Sequence, residues 1–196
     1  VTLLGRWAGV RDAFASRSGM GRILGCAVLI AANWGLFIYA IETQRAFQAS
    51  LGYFLTPLVN VALGMIVLHE RMARSQAVAV AIAAVAILGQ LVLLGELPWI
   101  TLSLALTFGT YGLLRKQVKL DGLSGLLVET ALLFPVGLAA LALLQLQGQS
   151  HFLDDLTQSA LLMSSGVMTA VPLMLFAGAT QRLRLSTIGF LMYINP

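Results

Sequence analysis

Apolar residues run along this chain in blocks of about twenty, separated by short polar connections. An α-helix rises about 1.5 Å per residue, so about twenty apolar residues cross a hydrocarbon layer of about 30 Å. Six blocks have that length, at 22–41, 47–69, 76–95, 98–115, 122–145 and 159–179, and a seventh begins near Leu185. The connections carry breakers and caps, as in "GELP" (95–98) and "LDGLSG" (120–125). A helix packed against water on one side keeps a polar stripe. "QAVAVAIAAVAILGQLVLL" (76–94) has none, so the pattern predicts an all-α integral membrane protein, a polytopic helix bundle.

Composition agrees. The 196 residues are 59% hydrophobic and 10% charged, where a soluble domain carries about 25% charged residues. The single cysteine, Cys26, excludes an intramolecular disulfide and a multi-cysteine metal site. The chain opens without methionine and stops inside an apolar run at Pro196, which predicts an internal piece of a longer protein.

The net charge of +4 could suggest nucleic acid, but its distribution points elsewhere. With the connections assigned alternately to two sides, Arg6, Arg11, Arg17, Arg22, Arg71, Arg74, Arg115, Lys116, Lys119, Arg182 and Arg184 share one side and Arg45 stands alone on the other. Positive residues collect on the cytoplasmic face of a membrane protein. The expectation is a multi-pass protein of a bacterial inner membrane, with the loops of Arg17, Arg71, Lys116 and Arg182 in the cytoplasm. Nucleic acid is not an expected partner. Lipid and a small solute are, and a homodimer is a further expectation.

"SLGYFLTPLVN" (50–60) places a glycine, a tyrosine, a Thr-Pro pair and an asparagine inside one of these apolar blocks. A shift of 139 residues lays 36–57 over 175–196, matching Arg45 with Arg184 and Pro57 with Pro196; a shift of 137 matches Gly52 with Gly189. The two copies lie five spans apart, so they enter the membrane from opposite sides. Inverted repeats of this kind build secondary transporters with a site near the midplane. Pro57, Pro196, Asn33 and Pro172, the partner of Asn33 at 139, all fall about 15 Å deep. Proline removes a backbone donor, so Pro57 would free the Tyr53 carbonyl and Pro196 that of Met192. Such groups are tolerated in a membrane where protein or a wet cavity satisfies them.

The segments "NWGLFIYAIETQRAFQASLGYFLTPLVNVALGMIVLHERM" (33–72), "FGTYGLLRKQV" (108–118), "GLLVETALLFPV" (125–136) and "TQRLRLSTIGFLMYINP" (180–196) resemble the RarD-type permeases. These are EamA-domain members of the drug/metabolite transporter superfamily, often labelled chloramphenicol-sensitive proteins. The resemblance implies ten spans arranged as two five-helix inverted repeats. Residues 1–95 would then belong to the first repeat and 96–196 to the second, with six complete spans and two partial ones. It also implies transport of a small organic solute. "LHERM" departs from the pattern, which has glycine where His69 stands.

Candidate cavity residues are Asn33, Trp34, Tyr53, Thr56, Pro57, Asn60, Thr107, Tyr111, Glu129, Pro172, Tyr193, Asn195 and Pro196. Glu129 is the one acid well inside a span. It reads as a proton acceptor or counter-charge, or as a structural carboxylate bonded to a neighbouring helix. The amide of Asn33 suits either a solute or an interhelical bond, and Tyr39 and Trp99 read as interface anchors. No HExxH, phosphate-binding loop or CxxC motif is present, so neither enzyme chemistry, a metal nor a cofactor is expected. A non-transporting membrane scaffold or assembly subunit is the second function class that the pattern admits.

Overall fold

A computed structural model describes residues 17–93, 98–118, 120–148, 152 and 155–194. Among the described residues all regular structure is helical: α1 (Arg17–Glu42), α2 (Ala46–Ile66), α3 (Arg74–Leu93), α4 (Trp99–Gln117), α5 (Gly122–Leu146), α6 (Leu156–Arg182) and α7 (Leu185–Met192). Each expected apolar block is a helix, with bounds shifted by a few residues. The side chains of Asp121 and Asp155 cap α5 and α6 by accepting from Ser124 and Thr157 N–H groups.

Four helices are long and apolar enough to cross a membrane by themselves: α1 from Gly19, α2, α5 and α6. This is fewer than the six complete spans expected from the sequence. The described apolar part of α3, Arg74–Gln90, is shorter. α4 carries Thr101, Ser103, Thr107, Thr110, Arg115 and Lys116, and it is enclosed by other helices. It packs against α1, α2, α6 and α7, and nine of its 19 residues are buried. A helix shielded by its neighbours can hold polar groups that a lipid-facing one cannot. The most apolar stretches of α5 and α6 are only 11% and 6% buried. Polarity and burial therefore run opposite to their order in a water-soluble bundle.

The helix ends sort by charge. Arg22, at the start of α1, donates to the Gln117 carbonyl at the end of α4 (3.4 Å), and Arg184 donates to the Arg71 carbonyl (3.4 Å). Lys116 donates to the Thr180 and Leu183 carbonyls. Arg22, Arg71, Lys116 and Arg184 thus gather at one end, called here the basic end. At the other end the Tyr39 and Trp99 rings lie 5.8 Å apart, and Thr101 donates to the Gln48 carbonyl (2.7 Å). Arg6, Arg11, Lys119, Asn195 and Pro196 lie outside the described residues.

The core is concentrated toward the basic end, where Ile23, Cys26, Ile30, Tyr111, Val118, Leu120 and Val128 are buried together. A smaller group, Ala40, Ala49, Ile100 and Leu104, closes the opposite end between α1, α2 and α4. Between the two groups the bundle is hollow.

Candidate functional site

The hollow is a cavity of about 780 Å³ walled by α1, α2, α4, α6 and α7. Asn33, Trp34 and Phe37 enter it from α1, Tyr53 from α2 and Phe108 from α4, while α6 contributes Met168, Pro172 and Phe176 and α7 contributes Leu191 and Met192. The rings meet edge to face on one side, Trp34 with Phe37 at 6.2 Å and Phe37 with Tyr53 at 5.9 Å. On the other, Phe108 lies 5.0 Å from Phe176. This aromatic lining offers flat apolar contact area, and Asn33, Thr169 and the Tyr53 hydroxyl add hydrogen-bonding groups. Asn33 spends its amide N–H groups on the Leu104 carbonyl (3.0 Å) and the Thr107 hydroxyl (2.9 Å). That locks α1 to α4.

Asn33, Trp34, Tyr53 and Pro172 are thus brought together on one wall system, and the offset that pairs Asn33 with Pro172 in sequence puts both on the same cavity. Thr56 lies behind that wall, buried, its hydroxyl donating to the Gly52 carbonyl (2.8 Å). Thr107 serves as the acceptor for Asn33.

Pro57, Asn60 and Tyr193 meet at a second place, where α2 crosses α7. Gly189 is so close to α2 that a Cβ on it would stand 2.7 Å from the Pro57 carbonyl oxygen. One turn further along α7, Met192 Sδ accepts from Asn60 Nδ2 at 3.2 Å. The Tyr193 hydroxyl donates to the Phe54 carbonyl (3.2 Å). Ser186, at the start of α7, lies beside Glu70 beyond the end of α2. The two helices therefore run antiparallel. Hydroxyl donors reach the Gly52 and Phe54 carbonyls on either side of Tyr53, the residue whose carbonyl Pro57 deprives of its helical partner.

Glu129 and Tyr111 form a third cluster, away from the cavity. Glu129 is 2% exposed; its Oε2 accepts from the Tyr111 hydroxyl (3.1 Å) and its Oε1 lies 3.6 Å from Arg115 Nε. Sequence reading places Arg115 in a cytoplasmic loop as an orientation signal. In the structure it occupies the last turn of α4, fully buried, with Nη2 donating to the Asp121 carbonyl (2.8 Å). Gly125 makes the room, since a Cβ there would lie 1.9 Å from Nη2. A charge is tolerated at this depth because an opposite charge and a carbonyl meet it. Tyr111 in turn stacks on Phe176 at 6.2 Å, so one aromatic ring separates this cluster from the cavity.

Phe37, Phe108 and Phe176 are lining residues that the sequence reading did not single out. In a chain rich in apolar helices they carry no distinguishing signal. Glu70, within "LHERM", is a further residue not singled out. Its carboxylate holds the start of α7, and the available signal was an acid among basic residues at a helix end.

Residues 2–92 match the EamA-like transporter family. The chain is 42% identical over 194 residues to Protein RarD of Streptomyces exfoliatus, covering 98% of this chain and 62% of that protein. It is 47% identical over 171 residues to Protein RarD of Salmonella typhi, covering 87% and 58%. An uncharacterized transporter of Vibrio cholerae is 40% identical over 194 residues, covering 97% and 64%. The chain thus spans about three fifths of the length of the curated relatives it matches. No solved structure matches it. Residues 2–92 are thus similar to the EamA-like transporter family, and the chain is similar over most of its length to the RarD proteins.

Proposed function

We propose that this chain is part of a secondary permease that moves a small organic solute across the bacterial inner membrane by alternating access. The solute site is the aromatic cavity, and the basic end faces the cytoplasm. α3 and α4 cross the membrane with α1, α2, α5 and α6, and residues 1–95 and 96–196 belong to two inverted repeats. The observation that carries this is the α2–α7 crossing. The two segments that match in sequence at an offset of 139 residues, and again at 137, pack antiparallel, with Gly189 against Pro57, beside a cavity of about 780 Å³. Matched helices of opposite direction meeting beside a central cavity are the arrangement in which exchange between two repeat orientations exposes one site to each side in turn.

The solute suited to this wall has a flat apolar body, which rests on Trp34, Phe37, Phe108 and Phe176, and a polar end that reaches Asn33 or Tyr53. The similarity to proteins named as transporters supports the same reading.

The test is reconstitution of the full-length protein in liposomes and measurement of solute flux across a panel of amino acids, phenicols and other amphipathic compounds. Saturable flux that falls in Trp34→Ala supports a permease. Binding without flux for every compound would instead favour a membrane scaffold.

A further inference from the structure

Glu70 does not touch the cavity, yet its carboxylate joins the end of α2 to the start of α7, the helix that lines the cavity with Ile188, Leu191 and Met192. Oε1 accepts from the Leu185 N–H (2.8 Å), and Oε2 accepts from the Ser186 N–H (2.9 Å) and hydroxyl (2.7 Å). Lys116 Nζ stands 4.0 Å from Oε1 and donates to the Thr180 carbonyl (3.3 Å) and to the Leu183 carbonyl. The carboxylate is tightly housed: a Cβ on Gly64 would lie 2.8 Å from Oε2 and 3.1 Å from the Ser186 nitrogen.

The first N–H groups of a helix have no partner within it and are usually capped by the residue just before them. Arg184, which occupies that place for α7, makes no side-chain cap. The cap comes instead from a residue 115 positions away, in the α2–α3 turn. A local cap would survive any movement of α7. This one holds only while α7 and the end of α2 stay together. Its bonds are charge-assisted and favoured by the helix dipole, so they are strong when made.

The cavity ends against this point. Ala179 lines it one residue before Thr180, the acceptor for Lys116, and Ile188 lines it two residues after Ser186. We propose that Glu70 is the latch of a cytoplasmic gate. Bonded to the start of α7, it keeps the basic end of the cavity shut, and its release lets α7 swing from α2 so that this end opens. The proposal rests on the transport reading above and adds a positioning residue to it.

The experiment uses full-length protein in inside-out membrane vesicles, with a single reporter cysteine, Ala179→Cys or Ile188→Cys, on a cysteine-free background. A membrane-impermeant maleimide then reports access from the cytoplasmic side, and solute flux is measured in parallel. Glu70→Gln should label about tenfold faster than the parent, as loss of charge-assisted bonds implies. Ser186→Ala, which removes one donor and keeps the rest, should fall between them. A Thr43→Cys reporter at the opposite end, probed in right-side-out vesicles, should label at an unchanged rate. Unchanged labelling at both cavity reporters overturns the latch, even if flux is intact. Equal acceleration at Thr43 also overturns it, because general loosening predicts that. Faster cavity labelling without flux of any solute in the parent keeps the gate and defeats the transport reading. If Glu70→Gln does not insert, Ser186→Ala decides alone.

Discussion

The hydroxyl of Tyr193 donates to the carbonyl oxygen of Phe54 at 3.2 Å, and the two residues are 139 positions apart. The same offset aligns Pro57 with Pro196 in the sequence. Two matched segments therefore touch at matched positions.

That crossing depends on backbone contact more than on the hydroxyl. Tyr193→Phe should cost about 1 kcal/mol or less, a small fall in the thermal midpoint of detergent-solubilised protein. Gly189→Ala should be more damaging, since its Cβ would stand 2.7 Å from a backbone oxygen that has no side-chain freedom to withdraw. A Gly189→Ala midpoint no lower than that of Tyr193→Phe would show that α2 and α7 are not packed this closely.

The Arg115–Glu129 pair yields a sign prediction. Removing one partner leaves a buried charge alone, a loss of about 3–5 kcal/mol, whereas replacing both by apolar residues is often nearly neutral. Arg115→Met and Glu129→Leu should each destabilise strongly, and the double variant should be more stable than either. Denaturation of all three by the same probe checks it; an additive double variant would mean that the two charges are independently solvated.

Glu70 gives stability a pH dependence. Burial opposes its charged form, but the N–H and hydroxyl of Ser186, the Leu185 N–H and Lys116 outweigh this and hold the carboxyl below its ordinary value. The charged neighbours are Lys116 from α4, Arg71 in the same turn and Arg184 from the α6–α7 turn. A lowered pKa in the folded state adds stability that is complete above the ordinary carboxylate value, about 4.3, and is lost as pH falls through the lowered one. The melting temperature of the parent should therefore drop more steeply with acid than that of Glu70→Gln, which lacks the titrating group. Parallel curves would count against this account of Glu70.

His69 adopts a φ of 54°, in the left-handed region. Its turn brings the Glu70 N–H to the Gly64 carbonyl (3.0 Å), which positions the carboxylate. A left-handed backbone costs a non-glycine residue about 1–2 kcal/mol, and glycine gives part of this back through its greater unfolded entropy. His69→Gly should raise stability by up to about 1 kcal/mol. A lower midpoint would indicate that the imidazole makes a contact worth more than the strain.

Helix number and bounds were legible in the sequence because apolar blocks of membrane length are a local property. Burial of a continuous run against lipid needs no knowledge of the neighbours. The grouping of Arg22, Arg71, Lys116 and Arg184 at one end follows from alternation along the chain. The near approach of the α2 and α7 segments was foreshadowed by their repeat. Asn33 and Pro172 were reached in the same way, and both line the cavity.

Tertiary structure decided what each polar group does. Arg115 and Lys116 are adjacent basic residues in sequence, yet one is sealed against Glu129 and the other reaches the α6–α7 turn. Nothing local separates them; their helix phase relative to α5 and α6 does. Phe37, Phe108 and Phe176 look like any other apolar residues until packing leaves a hollow between them. Glu70 finds its donors 115 residues away, a distance that no periodicity in the chain encodes. Hydrophobicity chooses the solvent of each segment residue by residue, whereas cavities, buried pairs and long-range caps arise only from the way several helices pack together.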